Sequence, residues 1–354
     1  MRFLVAQTSF LGDVVLSTPV FTALRRHYAG AHITALVRPE VAGVLDDHPD
    51  VDAVLTDDKR GGEGGIASLR VLRKIRDGNF DVALALHKSF RTAWLLAAAG
   101  IGWRIGFRQS AGWFLYHRRV QRDATRHDVE RNLSILSGLG IDPYQGEPRL
   151  YVACRREAVV RFQSALRARG VDPDAPLVGI APGSVWATKR WMEEGYAALL
   201  IGLQRDLGVT PVLLGSAGDT TCAEAIHRAA GGVGVNLVGQ TDLGMLVAAI
   251  DQCRVLVAND SAPVHIAVAR GTPVVAIFGP TVPRQGFGPY TDRARVVERE
   301  LPCRPCGRHG GRRCPLGTHA CMREITALDV QRAVIDLLPQ CAGATPVAQS
   351  SAVR

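Results

Sequence analysis

RFLVAQTSFLGDVVLS (residues 2–17) decides the fold. Phe3 to Ala6 is an unbroken apolar run of strand length, as expected where both faces of a strand are covered. A small, polar loop, Thr8 to Asp13, follows, and the apolar spacing beyond it predicts a helix over Val14–Tyr28. Strand, loop and helix recur through HITALVR (32–38), DAVLT (52–56), DVALALH (81–87) and RIGF (104–107), which implies a parallel α/β sheet. Turn residues crowd GIDPYQGEPRLYV (140–152), and a domain boundary is placed there. A second series then runs through PLVGIAPG (176–183), TPVLLG (210–215), VNLVG (235–239), VLVAND (255–260) and PVVAIFG (273–279). Helices are expected at 155–169, 192–206, 219–230 and 243–252, with a short one from Pro263. The reading is therefore two similar parallel α/β domains in tandem, 1–152 and 153–340, with a flexible tail at 341–354.

Size and charge agree with this division. A chain of 354 residues, 47% hydrophobic and 21% charged, suits two globular cores. Its net charge of +9 is spread along the chain and calls for an anionic partner. Nucleic acid is set aside, because aromatics are only 6% and no reader motif occurs. The apolar run from Ala93 to Ile101 is about half the length a membrane span requires. With no signal-peptide pattern at the start, the expected location is the cytoplasm, with peripheral contact at the inner membrane. The P-loop and nucleophile-elbow patterns are absent. A glycine fingerprint at Gly62–Ala67 stands apart from any strand, and the acid triplets Asp50-Val51-Asp52 and Asp172-Pro173-Asp174 sit in turns as solvated acids.

Open α/β sheets bind ligands beyond the carboxyl ends of their strands, so chemistry is sought in those loops. In the first, Asp13 is either the N-cap of the helix or a general base for a hydroxyl, flanked by Ser9 and Gly12. APGSVWATKRW (181–191) offers Ser184, Thr188 and the adjacent cations Lys189 and Arg190, which suit a leaving diphosphate. The loop Asn259, Asp260, Ser261 opens a helix carrying Pro263 and His265, and free N–H groups at such a start suit phosphate oxygens. Cys303, Cys306, Cys314 and Cys321, in a basic Gly-rich segment, could hold a structural metal or remain plain thiols. Cys154, Cys222, Cys253 and Cys341 read as isolated small residues.

TSFLGDVVLSTPVFTALR (8–25), APGSVWATKRW (181–191) and NDSAPVHIAVARGTPVVAIFGPT (259–281), in this order, resemble glycosyltransferase family 9, the lipopolysaccharide heptosyltransferases. DVALALHKSFRTAWLLAAAGIGWRIGFR (81–108) and CRPC…RRCPLGTHACM (303–322) extend the resemblance toward the heptosyltransferase II branch. It implies a GT-B architecture, with two facing Rossmann-like domains about a central cleft. The N-terminal domain would take a phosphorylated lipid-linked oligosaccharide acceptor through Ser9, Gly12, Lys59, Arg60, Lys88 and Arg91. The C-terminal domain would take ADP-heptose through Ser184, Thr188, Lys189, Asn259, Asp260, Ser261 and His265. The implied reaction is an inverting transfer to a heptosyl-Kdo-lipid A type acceptor, with Asp13 as base and no cofactor. The competing readings are a relative using another nucleotide sugar, an epimerase or hydrolase on the same fold, and a non-catalytic nucleotide-sugar binder.

Overall fold

The computed structural model describes residues 1–58 and 65–338. Lys59, Arg60, the first half of the glycine fingerprint (62–64) and the tail at 341–354 lie outside the described residues. The chain divides into two units. One comprises Met1–Arg156 with Pro283–Tyr290, the other Glu157–Val282 with Thr291–Arg354. The boundary falls four residues beyond the sequence estimate of 152.

In the first unit the strands are β1 (Arg2–Ala6), β2 (His32–Val37), β3 (Ala53–Thr56), β4 (Val82–Ala85), β5 (Trp103–Phe107) and β6 (Arg118–Val120). They form one parallel sheet in the order β3-β2-β1-β4-β5-β6. The helices are α1 (Leu11–Val15), α2 (Thr18–His27), α3 (Gly65–Asp77), α4 (Phe90–Ala98) and α5 (Asp128–Leu133). Phe3, Leu4, Val5 and Ala6 are wholly buried, the expected consequence of a central parallel strand covered on both faces.

The single helix expected over Val14–Tyr28 is in fact two. Pro19 has no N–H to give the carbonyl of Val15, and the Thr18 hydroxyl donates to that oxygen instead at 2.8 Å. The Ser17 hydroxyl likewise donates to the Val14 carbonyl at 2.7 Å, so the chain turns between α1 and α2.

The second unit repeats the plan with β7 (Leu177–Ala181), β8 (Thr210–Leu213), β9 (Val235–Asn236), β10 (Val255–Asn259), β11 (Val274–Phe278) and β12 (Ala294–Glu298). Its parallel order is β12-β11-β10-β7-β8-β9. The helices are α6 (Arg156–Arg167), α7 (Glu193–Leu207), α8 (Thr220–Ala229), α9 (Leu243–Gln252), α10 (Ala262–Arg270), α11 (Ala320–Arg323) and α12 (Ala327–Leu337). The core of this unit gathers Val178, Ile180, Val255, Val257, Val275 and Ile277 with Trp191, Tyr196 and the inner face of α12.

Both sheets reverse their strand order once, between β1 and β4 and between β7 and β10. Ligands of doubly wound sheets bind at such switch points. The loops that matter are thus those after β1 and β4 in one unit and those after β7 and β10 in the other.

Candidate active site

At the first switch point, Asp13 is the third residue of α1, not its N-cap; Phe10 holds that position. The carboxylate nonetheless reaches back, accepting from the Ser9 hydroxyl at 2.7 Å and from the Phe10 N–H at 3.2 Å. Capping is therefore performed, though from inside the helix. Burial pushes the Asp13 carboxyl above the ordinary aspartate range, and the charge of Asp128 reinforces this. The Ser9 hydroxyl, the Phe10 N–H and the Arg122 guanidinium oppose it. A carboxylate made more basic in this way is better matched to accepting a proton near neutral pH.

Behind Asp13 lies a charged group that the sequence reading missed. Asp128, only 2% exposed, forms short ion-paired contacts with Arg122 and lies 3.5 Å from Arg131. Asn132 donates both to Asp128 and, at 3.3 Å, to the Leu16 carbonyl that ends α1. Pro283–Tyr290 closes this corner of the unit. The Gly286 carbonyl accepts from the Asp128 N–H at 2.8 Å, and a Cβ on Gly286, whose φ is +97°, would sit 2.7 Å from the Arg131 guanidinium carbon. In sequence, Arg122 and Asp128 look like two solvated charges in a turn-rich stretch, and no periodicity marks them.

The loop after β4 is tied to the loop after β1 through Thr8, whose hydroxyl lies 3.0 Å from His87 Nδ1 and 3.2 Å from the Thr92 hydroxyl. Lys88 follows, its carbonyl accepting from the Ala111 N–H. Arg91 is a strut: its guanidinium forks onto the fully buried Asp57 at 2.6 and 3.2 Å and donates to the Ser68 hydroxyl at 2.6 Å. Three of its five N–H groups are thereby engaged.

At the second switch point, the Lys189 ammonium meets the Asp260 carboxylate at 2.6 Å, and the Thr281 hydroxyl donates to the same oxygen at 2.7 Å. The two side chains are 12% and 8% exposed, so this pair is largely removed from solvent. Asn259 is wholly buried and acts as scaffold. Its Oδ1 accepts from the Trp191 N–H and the Tyr196 hydroxyl, and its Nδ2 donates to the Pro182 carbonyl, stitching the β7 loop to the end of β10. Ser261 is the N-cap residue of α10, with its hydroxyl turned back to the Asn259 carbonyl at 3.1 Å. His265 is buried one turn into α10, and Ser184 is buried too, its own carbonyl accepting from Arg190 Nε at 2.9 Å.

Thr188 is fixed from outside the loop. It exchanges hydrogen bonds with Gly311, and its carbonyl lies 2.8 Å from His319 Nε2. The cysteine-bearing segment thus supports the Lys189 turn. Of the two readings open for Cys303, Cys306, Cys314 and Cys321, a structural metal site or plain thiols, the metal site is not supported, because among the described residues no three His, Cys, Asp or Glu side chains converge as metal ligands. The Cys306 thiol donates instead to the Cys303 carbonyl at 3.3 Å, and Cys314 Sγ accepts from the His319 N–H at 3.4 Å. Arg304 anchors the same segment, donating to the Gly279, Arg299 and Thr281 carbonyls and to Glu298.

The family model for glycosyltransferase family 9 (heptosyltransferase) matches residues 68–315, a span that includes the Lys189, Asp260 and Thr188 loops. The chain belongs to glycosyltransferase family 9. Members of this family are enzymes, and the chain is 27% identical to lipopolysaccharide heptosyltransferase 2 of Salmonella typhimurium, covering 96% of each. With the Escherichia coli K12 protein of the same name the identity is 28%, again over 96% of each. Among solved structures, a family 9 glycosyl transferase from Veillonella parvula superposes with a TM-score of 0.84 at 26% identity, covering 96% of this chain and 97% of that one. The E. coli ADP-heptose lps heptosyltransferase II gives 0.78 at 26% identity, covering 96% and 99%. Two parallel Rossmann-like units together with these neighbours make the architecture GT-B.

Proposed function

We propose that this family 9 enzyme transfers heptose from ADP-heptose to the inner core of lipopolysaccharide, on a heptosyl-Kdo-lipid A type acceptor, by a single inverting displacement. The observation that carries the mechanism is Asp13, a carboxylate at the first switch point whose proton affinity is raised by burial and by Asp128. The acceptor hydroxyl gives its proton to Asp13 as its oxygen bonds the anomeric carbon. The bond from that carbon to the diphosphate breaks, and ADP leaves with the electron pair. Names of relatives support the donor and the core acceptor, including a solved structure described as an ADP-heptose heptosyltransferase II.

Charge developing on ADP is met by Lys189, by Arg190 and by the N–H groups at the start of α10. Asp260 is itself an anion, so its role is to hold the Lys189 ammonium in place together with Thr281. Ser184, Thr188, Ser261 and His265 line the donor loops, while Asn259 shapes them from behind. Ser9, Gly12 and Lys88 serve the acceptor, Arg91 supports that surface as a strut through Asp57 and Ser68, and Lys59 and Arg60 are assigned from sequence alone. Neutralisation by these cations needs no divalent metal or other cofactor. The reaction is assigned to the cytoplasmic face of the inner membrane.

Asp13→Asn tests the base. ADP binding, measured by calorimetry, should remain within about twofold while ADP release in the presence of acceptor falls by a factor on the order of 10²–10⁴. Turnover equal to wild type would leave Asp13 a helix-capping residue only.

A further inference from the structure

Exposed aromatic side chains are concentrated on one face of the first unit. Phe90 and Trp94, one turn apart on α4, are 50% and 40% exposed, and Trp113 and Phe114 of the 3-10 turn Trp113–Leu115 are 46% and 54% exposed. They form one patch. The Phe90 and Phe114 ring centroids are 6.3 Å apart, and those of Phe114 and Trp113 are 6.0 Å apart. Gly112 lets the turn lie flush on the helix, since a Cβ there would be 2.4 Å from that of Ala93. Burying rings of this size would be strongly favourable, yet no element of the described chain covers them.

The stretch of chain that carries the patch is basic, with Arg91 and Arg122 paired to Asp57 and Asp128 from elsewhere in the unit. Between Val82 and Arg122 the sequence has seven Lys or Arg and no Asp or Glu. Arg108, Arg118 and Arg119 are exposed, and the Arg119 guanidinium carbon lies 4.8 Å from the centre of the Trp113 ring. Aromatic rings mixed with arginines are the side chains that settle at the headgroup level of a bilayer, with the rings at the acyl boundary and the cations among anionic phosphates. Among the described residues no helix is long and apolar enough to cross a membrane, so any such contact is made from one side.

We infer that the patch Phe90, Trp94, Trp113 and Phe114, with Arg119 beside it, is the surface by which this chain docks on an anionic phospholipid bilayer. Docking does not depend on sugar transfer, so a failure of the catalytic assignment leaves it standing. The purified full chain should sediment with vesicles of phosphatidylethanolamine and phosphatidylglycerol, and not with phosphatidylcholine vesicles. Binding should weaken as salt is raised.

Trp113→Ser/Phe114→Ser should lower the partition coefficient at least about tenfold. Arg119→Gln should lower it by roughly fivefold, the effect of one cation. Far-UV circular dichroism and thermal melting establish that each variant folds. As a second readout, brominated phospholipid should quench wild-type tryptophan fluorescence, and Trp113→Phe should remove much of that quenching. Undiminished vesicle binding by the aromatic variant would overturn the inference, as would no binding to anionic vesicles. So would a wild-type dimer that the same substitutions dissociate in sedimentation velocity, which would make the patch a contact between copies.

Discussion

Removing Lys189 should cost far more than removing a surface lysine, and the loss should disappear when Asp260 is removed with it. At 2.6 Å the two charges attract by roughly 6 kcal/mol at an effective dielectric constant of about 20. Most of that is offset by desolvation, because the side chains are only 12% and 8% exposed. Lys189→Met leaves the buried carboxylate with Thr281 alone and should destabilise the second unit by about 3 kcal/mol. Asp260→Asn strands the ammonium at a similar cost, about 3 kcal/mol. The double variant should lose no more than about 1 kcal/mol rather than the roughly 6 kcal/mol of simple addition, since neither charge is then left alone. Urea unfolding followed by fluorescence reports on this unit through Trp191, which is 2% exposed, whereas Trp94, Trp103 and Trp113 of the first unit are already solvated. Additivity within about 0.5 kcal/mol would refute the coupling.

The stability of Asp13→Asn should run opposite to its activity. Because the folded carboxyl has a raised pKa, the native state binds more protons than the unfolded chain, and stability falls as pH rises from the ordinary aspartate value through the folded one. Asn removes that loss, so the variant should melt above wild type at pH 7 and lose its advantage below the unfolded aspartate pKa; a lower melting temperature at pH 7 would contradict this. His48 has the opposite sense. Packed against Phe21 and Tyr151, it is pushed down to about 4, so the unfolded chain takes up its proton first and stability is lost as pH falls from about 6.5 toward 4. His48→Gln should flatten the acid limb of a melting-temperature-versus-pH curve over that window, and an unchanged slope would assign the acid loss to other groups.

The central strands were legible because strands buried on both faces must be continuous apolar runs, as in Phe3–Ala6 and Val255–Ala258. β6 and β12 were not, since short edge strands such as Arg118–Val120 keep charged residues in solvent and show no pattern. The candidate loops were found from their position after strands. Their internal pairings were not, because Lys189 and Asp260 are 71 residues apart and nothing local couples them. Sequence likewise made Asn259 a ligand contact, where burial makes it a stitch between two loops. The cysteine spacing suggested a metal, but the segment is held by Arg304 on backbone carbonyls and by Gly311 and His319 on Thr188, partners that spacing cannot reveal.

The most direct test is product formation. The purified chain is incubated with ADP-heptose and a heptosyl-Kdo-lipid A acceptor, with ADP release measured enzymatically and the acceptor examined by mass spectrometry and by the anomeric configuration of the new bond. The account predicts one ADP released for each heptose gained, inversion at the anomeric carbon, and neither event in the absence of acceptor beyond slow hydrolysis. ADP release with no gain in acceptor mass, or transfer with retention, would contradict it.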